Sequence, residues 1–202
     1  DLFISDKYNK WITNIYSRCR VHLLRANHDS ILTTSKTILK DNPMLNCRID
    51  GLQKYSPKRF IIDKNLTIPM TSKIIRTANK ISTYVFYNLI DKNKLKKLSQ
   101  YKVKTIRIEL RNKHLDFDKI ILFLRKKSFY RVFVEAGIKF NNFLLDNNYI
   151  NDFYHFYSDQ LIENRGLHNT KFFFKKMNKI KLNKRGIEIN LFQDKLLKYS
   201  LK

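Results

Sequence analysis

The chain has 202 residues, of which 43% are hydrophobic, enough for a globular domain with a sizeable core. Lysine and arginine outnumber aspartate and glutamate by 41 to 17, which gives a formal net charge of +24. No apolar run approaches the roughly 18 residues that a transmembrane helix needs. The two cysteines, Cys19 and Cys47, have neither metal-ligand spacing nor the number expected of a disulfide framework. We therefore predict a cytoplasmic globular protein that binds no metal and spans no membrane.

Helical and strand patterns alternate along most of the chain. In chain order they predict a helix over 14–26, strands over 31–34, 59–63 and 83–87, a helix over 92–99, a strand over 104–110, a helix over 117–127, a strand over 131–135 and a helix over 138–148. The segments 152–162, 179–182, 187–192 and 195–201 then predict successive strands without intervening helices. This order predicts a single α/β domain over residues 1–202 that ends in antiparallel strands.

Charged side chains accompany the first helix and the first predicted strand. Thr13 or Asn14 is a candidate N-cap of the helix, and Arg18 and Arg25 lie two turns apart on one helical face. The sequence Asp41-Asn42-Pro43 predicts a turn, because proline disfavours a helical conformation of the residue before it. Open α/β sheets bind ligands at such strand ends. The alternative is that these charges form an ordinary solvated surface.

A second candidate site is Glu135-Ala136-Gly137, between a predicted strand and a predicted helix. Glycine there would let a ligand approach the backbone, and the helix N-terminus would favour a phosphate. Simple strand–helix packing is the alternative. The chain has only four glycines and contains neither G-x-G-x-x-G nor a P-loop, which excludes a standard Rossmann cofactor site.

These segments together resemble a known family. The spaced residues are Trp11-Ile12-Thr13, Arg18, Arg25, Asp29, Ile31-Leu32-Thr33, Thr37, Asp41, Pro43, Leu45, Arg48 and Val134-Glu135-Ala136-Gly137. They resemble the reductase half of the bifunctional riboflavin-biosynthesis deaminase/reductase, which has the patterns R-x-x-x-x-x-x-R, D-A-I-L, T-x-x-x-D-D-P-x-L-x-x-R and V-E-G/A-G. The resemblance covers nearly the whole chain and weakens after residue 150.

The resemblance implies a dihydrofolate-reductase-like three-layer sandwich with a mostly parallel central sheet. It implies reduction of the ribose of 5-amino-6-(5-phosphoribosylamino)uracil to ribitol by NADPH, with hydride passing to the sugar C1. The implied cofactor-binding residues are Trp11, Thr37, Asp41, Gly137, Ile138, Lys139, Phe140, Asn141, Asn142 and Phe143. Lys64, at the end of a predicted strand in so basic a chain, is our own candidate for binding the 2′-phosphate of NADPH. The implied substrate-binding residues are Asn9, Arg25, Leu45, Arg48 and Glu135, and the implied catalytic residues are Asp41 and Glu135. A homodimer is also implied.

The sequence departs from the family in several places. Asn9 and Lys64 replace serines, and the family's opening strand and S-x-D-G motif are not recognisable, so we expect the chain to begin inside the domain. The zinc ligands of the deaminase half, H-x-E and P-C-x-x-C, are absent. We therefore expect another domain or protein to supply the deamination step.

Other functions remain open at this point. The charge of +24 is typical of a nucleic-acid-binding module, but the lysines are spread along the chain, and AT-rich codons would enrich Lys, Asn, Ile, Phe and Tyr together. We therefore favour a protein without a nucleic-acid partner. A reductase of another pterin or pyrimidine, or an inactive relative, is also compatible with the sequence.

Overall fold

The computed structural model describes residues 3–6, 8, 11–159, 166–179 and 183–201. The elements in chain order are β1 (Phe3–Asp6), α1 (Ile15–Ala26), β2 (Ser30–Thr34), α2 (Ser35–Asp41), a 3-10 turn (Gln53–Tyr55), β3 (Lys58–Ile62), α3 (Lys73–Arg76), β4 (Thr83–Tyr87), α4 (Lys92–Gln100), β5 (Lys104–Arg107), β6 (Leu110–Arg111), β7 (His114–Leu115), α5 (Phe117–Lys126), β8 (Val132–Val134), α6 (Ile138–Asp146), β9 (Asp152–Tyr157), β10 (Gly166–Asn169), α7 (Lys171–Met177), β11 (Asn183–Gly186) and β12 (Lys195–Ser200). The chain divides into two compact units, His22–Gly137 and Asp1–Val21 with Ile138–Lys202. This division does not test the prediction of a single domain over residues 1–202, which stays a prediction.

A parallel sheet forms the unit His22–Gly137. Its strands lie in the order β5-β4-β3-β2-β8, and every neighbouring pair is parallel. Ile61 of β3 belongs to a hydrophobic cluster that includes residues of α2, α3 and α4. Phe60 points to the opposite face, because successive side chains of a strand alternate, and it meets Phe123 of α5. The predicted α/β fold with a parallel central sheet is confirmed, and helices cover both faces of this sheet.

Polar side chains set the limits of the first two helices. Asn14 caps α1, since its Oδ1 accepts hydrogen bonds from the backbone N–H groups of Tyr16 and Ser17 at 2.9 and 3.1 Å. The sequence did not predict α2, which begins directly after β2 and ends where Asn42 adopts a left-handed φ of 41°. Asparagine tolerates this conformation well. The predicted turn at Asn42 is therefore a helix C-terminus.

Two predicted strands in this unit have different limits. The strand predicted over 104–110 ends at Arg107, and Leu110 instead begins the short β6–β7 hairpin. Asn112 and Lys113 turn this hairpin with φ values of 51° and 65°. We predicted a buried strand over 131–135. The structure has the shorter strand β8 there, and it is half-buried because it lies at the edge of the sheet.

The second unit contains antiparallel strands, as predicted for the C-terminal part. Strand β1 pairs with β10, and β12 lies between β11 and β9. Leu145 of α6 and Phe173 and Met177 of α7 form a core with Tyr199 of β12. No helix in the part of the chain described is long and apolar enough to cross a membrane.

The prediction of C-terminal strands without intervening helices is wrong, because α7 lies among them. Phe173 and Met177, four residues apart on α7, are both buried, and this helical spacing outweighs the strand preference of the aromatic run. The strand predicted over 187–192 is also wrong. The Asn190 side chain accepts a hydrogen bond from the N–H of Phe192, which closes a turn at φ 57°. Residues 160–162 and 180–182 of the predicted strands lie outside the described residues.

Arg59 of the central strand β3 is fully buried. Its guanidinium group donates hydrogen bonds to five neutral oxygens, the carbonyls of Met44, Ile74 and Ile81 and the hydroxyls of Thr77 and Thr83, at 2.7–3.1 Å. Burial lowers the pKa of Arg59 to about 10, so the side chain is still charged at neutral pH. The arginine thus joins the loop after α2 to α3 and to two strands.

We expect Arg59→Ala to lower the free energy of unfolding by about 3 kcal/mol or more, because several buried oxygens would lose their donors at once. Urea denaturation followed by circular dichroism measures the loss. Arg131→Ala is a matched control. The Arg131 side chain is 68% exposed in its ion pair with Asp29, so its loss should be about 0–1 kcal/mol. Equal losses in the two variants would contradict the role given to Arg59.

Candidate active site

A bidentate ion pair links the end of α1 to the residue after β8. The Nε and Nη2 atoms of Arg25 donate to the two carboxylate oxygens of Glu135 at 2.6 and 2.7 Å. The two side chains are only 12% and 24% exposed, so solvent screens the pair less than it would a surface pair. Arg25 lies in the last turn of α1, where a positive charge also interacts favourably with the helix dipole.

His22 lies beside this pair, one helical turn before Arg25. Its Nδ1 is 3.0 Å from the carbonyl oxygen of Asn46 and 3.3 Å from Nη1 of Arg25, and its Nε2 is 3.1 Å from Nη2 of Arg48. Arg25 Nη1 also donates to the Asn46 carbonyl at 3.0 Å. Burial and the positive charges of Arg25 and Arg48 lower the pKa of His22 below its usual 6.5. The imidazole is therefore neutral at physiological pH.

Arg48 differs from Arg25 in its surroundings. It is exposed, whereas the preceding residue, Cys47, is fully buried and holds this part of the loop in place. In the described part of the chain no carboxylate forms an ion pair with Arg48, while Glu135 matches the charge of Arg25. Both guanidinium groups contact the same imidazole ring, so they lie on either side of His22. Arg48 thus carries an exposed positive charge, and its role in binding the substrate stays a prediction.

The cluster lies at the carboxyl edge of the parallel sheet. The backbone N–H of Glu135 donates to the carbonyl of Leu32 at 3.0 Å, and Thr33 Oγ1 donates to the carbonyl of Glu135 at 2.7 Å. Both contacts fix Glu135 to the end of β2, which is where parallel sheets bind their ligands. A Cβ atom at Gly137, two residues later, would meet nothing within 4 Å. The space beside this backbone is open to a ligand.

Three other predicted cofactor residues lie at or near this edge. Thr37 is in the first turn of α2, and Asp41, four residues later, shares its face and ends the helix. Lys64 follows β3, and its Nζ donates to the carbonyl of Lys113 at 3.0 Å. Their role in binding the cofactor stays a prediction, as does a catalytic role for Asp41.

The remaining predicted cofactor residues belong to the second unit. Trp11 is 55% exposed, and the Arg18 guanidinium lies 5.0 Å from the centre of its ring. The residues Ile138, Lys139, Phe140, Asn141, Asn142 and Phe143 form the first two turns of α6. The side-chain oxygen of Asn142 is buried without a hydrogen-bond partner. The predicted substrate contact Asn9 lies outside the described residues.

Leu45 is the predicted substrate residue that lies deepest in the core. Its side chain is 2% exposed and belongs to the core cluster that includes Ile31 and Ile38, and its contact with the substrate stays a prediction. Its backbone has a left-handed φ of 51°. A contact from this position would come from the backbone.

His22 is the residue of the cluster that the sequence did not single out. It precedes Arg25 by three residues and therefore lies on the same face of α1. This three-residue spacing on a predicted helix was the signal in the sequence that could have placed His22 next to Arg25. The contact with Arg48, 26 positions later, depends on the fold and has no local signal in the sequence.

The fold shows the structural class of the protein. RibD of Acinetobacter baumannii, a solved structure, superposes with a TM-score of 0.75 at 20% identity, over 99% of this chain and 54% of that one. The chain therefore has the dihydrofolate-reductase-like α/β fold of RibD reductase domains. At this identity the structural likeness shows the fold alone.

Sequence comparison identifies the family. Residues 4–161 match the sequence model of the RibD C-terminal domain, so the chain belongs to that family. The 5-amino-6-(5-phosphoribosylamino)uracil reductase of Buchnera aphidicola is 32% identical over 155 residues, 71% of this chain and 72% of that protein. The riboflavin biosynthesis protein RibD of Actinobacillus pleuropneumoniae is 26% identical over 76% of this chain and 40% of its own length. The chain thus spans about two fifths of that RibD protein.

We expect Glu135→Gln to lower the free energy of unfolding by about 1–3 kcal/mol, because Arg25 would lose its charged partner in a half-buried environment. Chemical denaturation at pH 7.5 measures the loss. The control is Asp118→Asn, which removes a partner of the 60% exposed Arg111; it should cost about 0–1 kcal/mol. A Glu135→Gln variant as stable as the wild type would show that the ion pair does not stabilise the fold.

Proposed function

We propose that this chain reduces the ribosyl group of 5-amino-6-(5-phosphoribosylamino)uracil to the ribityl product, using NADPH. The observation that carries the proposal is Arg48, an exposed guanidinium group without a carboxylate partner among the described residues, beside the Arg25–Glu135 pair at the carboxyl edge of the sheet. A guanidinium group matches phosphate oxygens geometrically. Membership of the RibD C-terminal domain family and the Buchnera reductase support this assignment.

We infer that a nicotinamide dinucleotide binds beside Gly137, where the space next to the backbone is open. When bound, the nicotinamide supplies the hydride, so the protein's part is binding, orientation and electrostatics. The choice of NADPH over NADH rests on the basic character of the chain, which favours a ligand with an additional phosphate.

The side chains of the cluster have separate roles in this proposal. Arg48 pairs with the phosphate of the substrate. Arg25 remains partly available, because the Glu135 and Asn46 contacts leave two of its five N–H groups, and it can add a second contact to the same anion. Glu135 fixes Arg25 and lines the substrate site. Asp41 orients the reacting groups or relays a proton.

The proposal extends to partners and location. A deaminase domain or a separate deaminase supplies the substrate. The greater length of the Actinobacillus RibD protein, of which this chain matches 40%, supports this proposal. The domain forms a homodimer in the cytoplasm. We propose no nucleic-acid partner.

NADPH oxidation, followed by absorbance with and without the phosphoribosylaminouracil, tests the function. Substrate-dependent oxidation supports it. The same assay with pterin substrates and with the pyrimidine before deamination separates reductases of different specificity. Absence of oxidation with every substrate, together with sequence-selective nucleic-acid binding at physiological salt, would replace the reductase with a nucleic-acid-binding module.

Arg48→Ala should lower kcat/KM by roughly one to two orders of magnitude, because a charge-assisted bond to phosphate is worth about 1.5–3 kcal/mol. Steady-state kinetics with the phosphorylated substrate and its dephosphorylated analogue measure the effect. The loss should largely vanish with the analogue, and the affinity for NADPH should hardly change. An equal loss with both substrates would show that Arg48 does not bind the phosphate.

Lys64→Ala should weaken NADPH binding and leave NADH binding unchanged, since only NADPH carries the 2′-phosphate. We expect a loss of roughly tenfold, the effect of one charge-assisted contact. Fluorescence titration with both cofactors measures it. Lys58→Ala, at the opposite end of β3, is the control and should change neither affinity. Equal weakening of both cofactors would exclude Lys64 from the 2′-phosphate site.

A further inference from the structure

We propose that His22 is a positioning residue of the substrate site, whose neutral imidazole holds the Arg48 guanidinium group in place for the substrate phosphate and releases it when protonated. The inference rests on the proposed function, because it assigns the anion at Arg48 to that substrate. His22 itself is only 9% exposed, so it acts through Arg48 and not by direct contact with the ligand.

The contacts of His22 determine which ring nitrogen carries the proton. A guanidinium group donates hydrogen bonds and cannot accept them, so the contact between Arg48 Nη2 and His22 Nε2 at 3.1 Å requires a bare Nε2. The proton of the neutral ring is then on Nδ1, which donates to the carbonyl of Asn46 at 3.0 Å. In this tautomer Arg25 Nη1 and His22 Nδ1 are both donors, so their separation of 3.3 Å is a close approach and not a hydrogen bond. The tautomer with its proton on Nδ1 therefore gives both ring nitrogens a hydrogen-bond partner and gives Arg48 an acceptor.

Protonation of His22 would break this arrangement. It would place an N–H on Nε2 opposite the N–H of Arg48, and a third positive charge between Arg25 and Arg48. The charged groups that face the ring are these two arginines and Glu135, whose single negative charge is already bound by Arg25. Burial and the two arginines keep the pKa of His22 below its usual value of 6.5, so the change occurs below that pH.

Two substitutions separate the geometric role from a merely structural one. In His22→Gln, the amide oxygen can accept from Arg48 and the amide NH₂ can donate to Asn46, but the side chain does not titrate. In His22→Leu, the volume is retained and both hydrogen bonds are lost. At pH 7.5 we expect His22→Gln to keep KM within about threefold of the wild type, and His22→Leu to raise KM by about tenfold, with kcat little changed in both.

The pH profile provides the decisive measurement. The phosphate of the substrate titrates near pH 6 in every variant, so the quantity of interest is the ratio of the wild-type KM to that of His22→Gln. This ratio should rise as the pH falls from 7.5 to 5.5, by at most about tenfold per pH unit, the slope of one proton. The control is His114→Gln, which replaces an exposed histidine of β7 and should follow the wild-type profile.

Calorimetric binding of ribose 5-phosphate, measured with the same variants, requires no turnover. It distinguishes failure of this inference from failure of the proposed reaction. Weaker binding by His22→Leu, together with a ratio of wild-type to His22→Gln dissociation constants that rises as the pH falls, supports the role of His22 even if no hydride transfer occurs. Binding by His22→Leu equal to that of the wild type, a wild-type profile in His22→Gln, or no binding by the wild type would overturn it.

Discussion

The ion pair between Arg25 and Glu135 is the interaction on which the candidate site depends. It joins residues 110 positions apart, one near the end of α1 and one directly after β8. Each side chain is held from a second direction, Arg25 through the Asn46 carbonyl and the Glu135 backbone through β2. Breaking such a half-buried pair would leave a charge without its partner. The pair therefore fixes the place at which His22 and Arg48 can meet.

The chain accommodates its positive charge in three ways. Arg59 is buried in the sheet and is compensated by neutral oxygens, which stabilise the charge through hydrogen bonds without cancelling it. Arg25 is compensated by a carboxylate. Arg48 is supported by the neutral acceptor of His22 and keeps its charge available to solvent. Of these three arginines, Arg48 has the charge that is most exposed to solvent, so the local environment of each arginine, and not only the total of +24, decides how its charge can act.

Much of the fold could be predicted because its signals are local. The inner strands of the parallel sheet are short apolar runs, and α1, α4 and α5 follow regular helical spacing with an Asn or Asp cap. The errors lie where tertiary contacts decide the structure. Helix α7 contains an aromatic run with strand preference, but burial of Phe173 and Met177 on one face makes it a helix. The burial of the Leu45 side chain in the core likewise had no local signal in the sequence.

The sequence by itself determined the α/β order of elements, the parallel sheet and the presence of Arg25, Arg48 and Glu135 near strand and helix ends. Periodicity and capping depend on neighbouring residues, and the spacing of a motif can be recognised in the sequence before the fold is known. The tertiary structure decided which of these charges are paired. In the folded chain Glu135 pairs with Arg25, His22 contacts Arg48, and Arg48 stays exposed to solvent. Each of these features joins residues distant in sequence or depends on the position of a loop. Pairing and burial control whether an arginine stabilises the fold or binds a ligand, and both are properties of the packed chain.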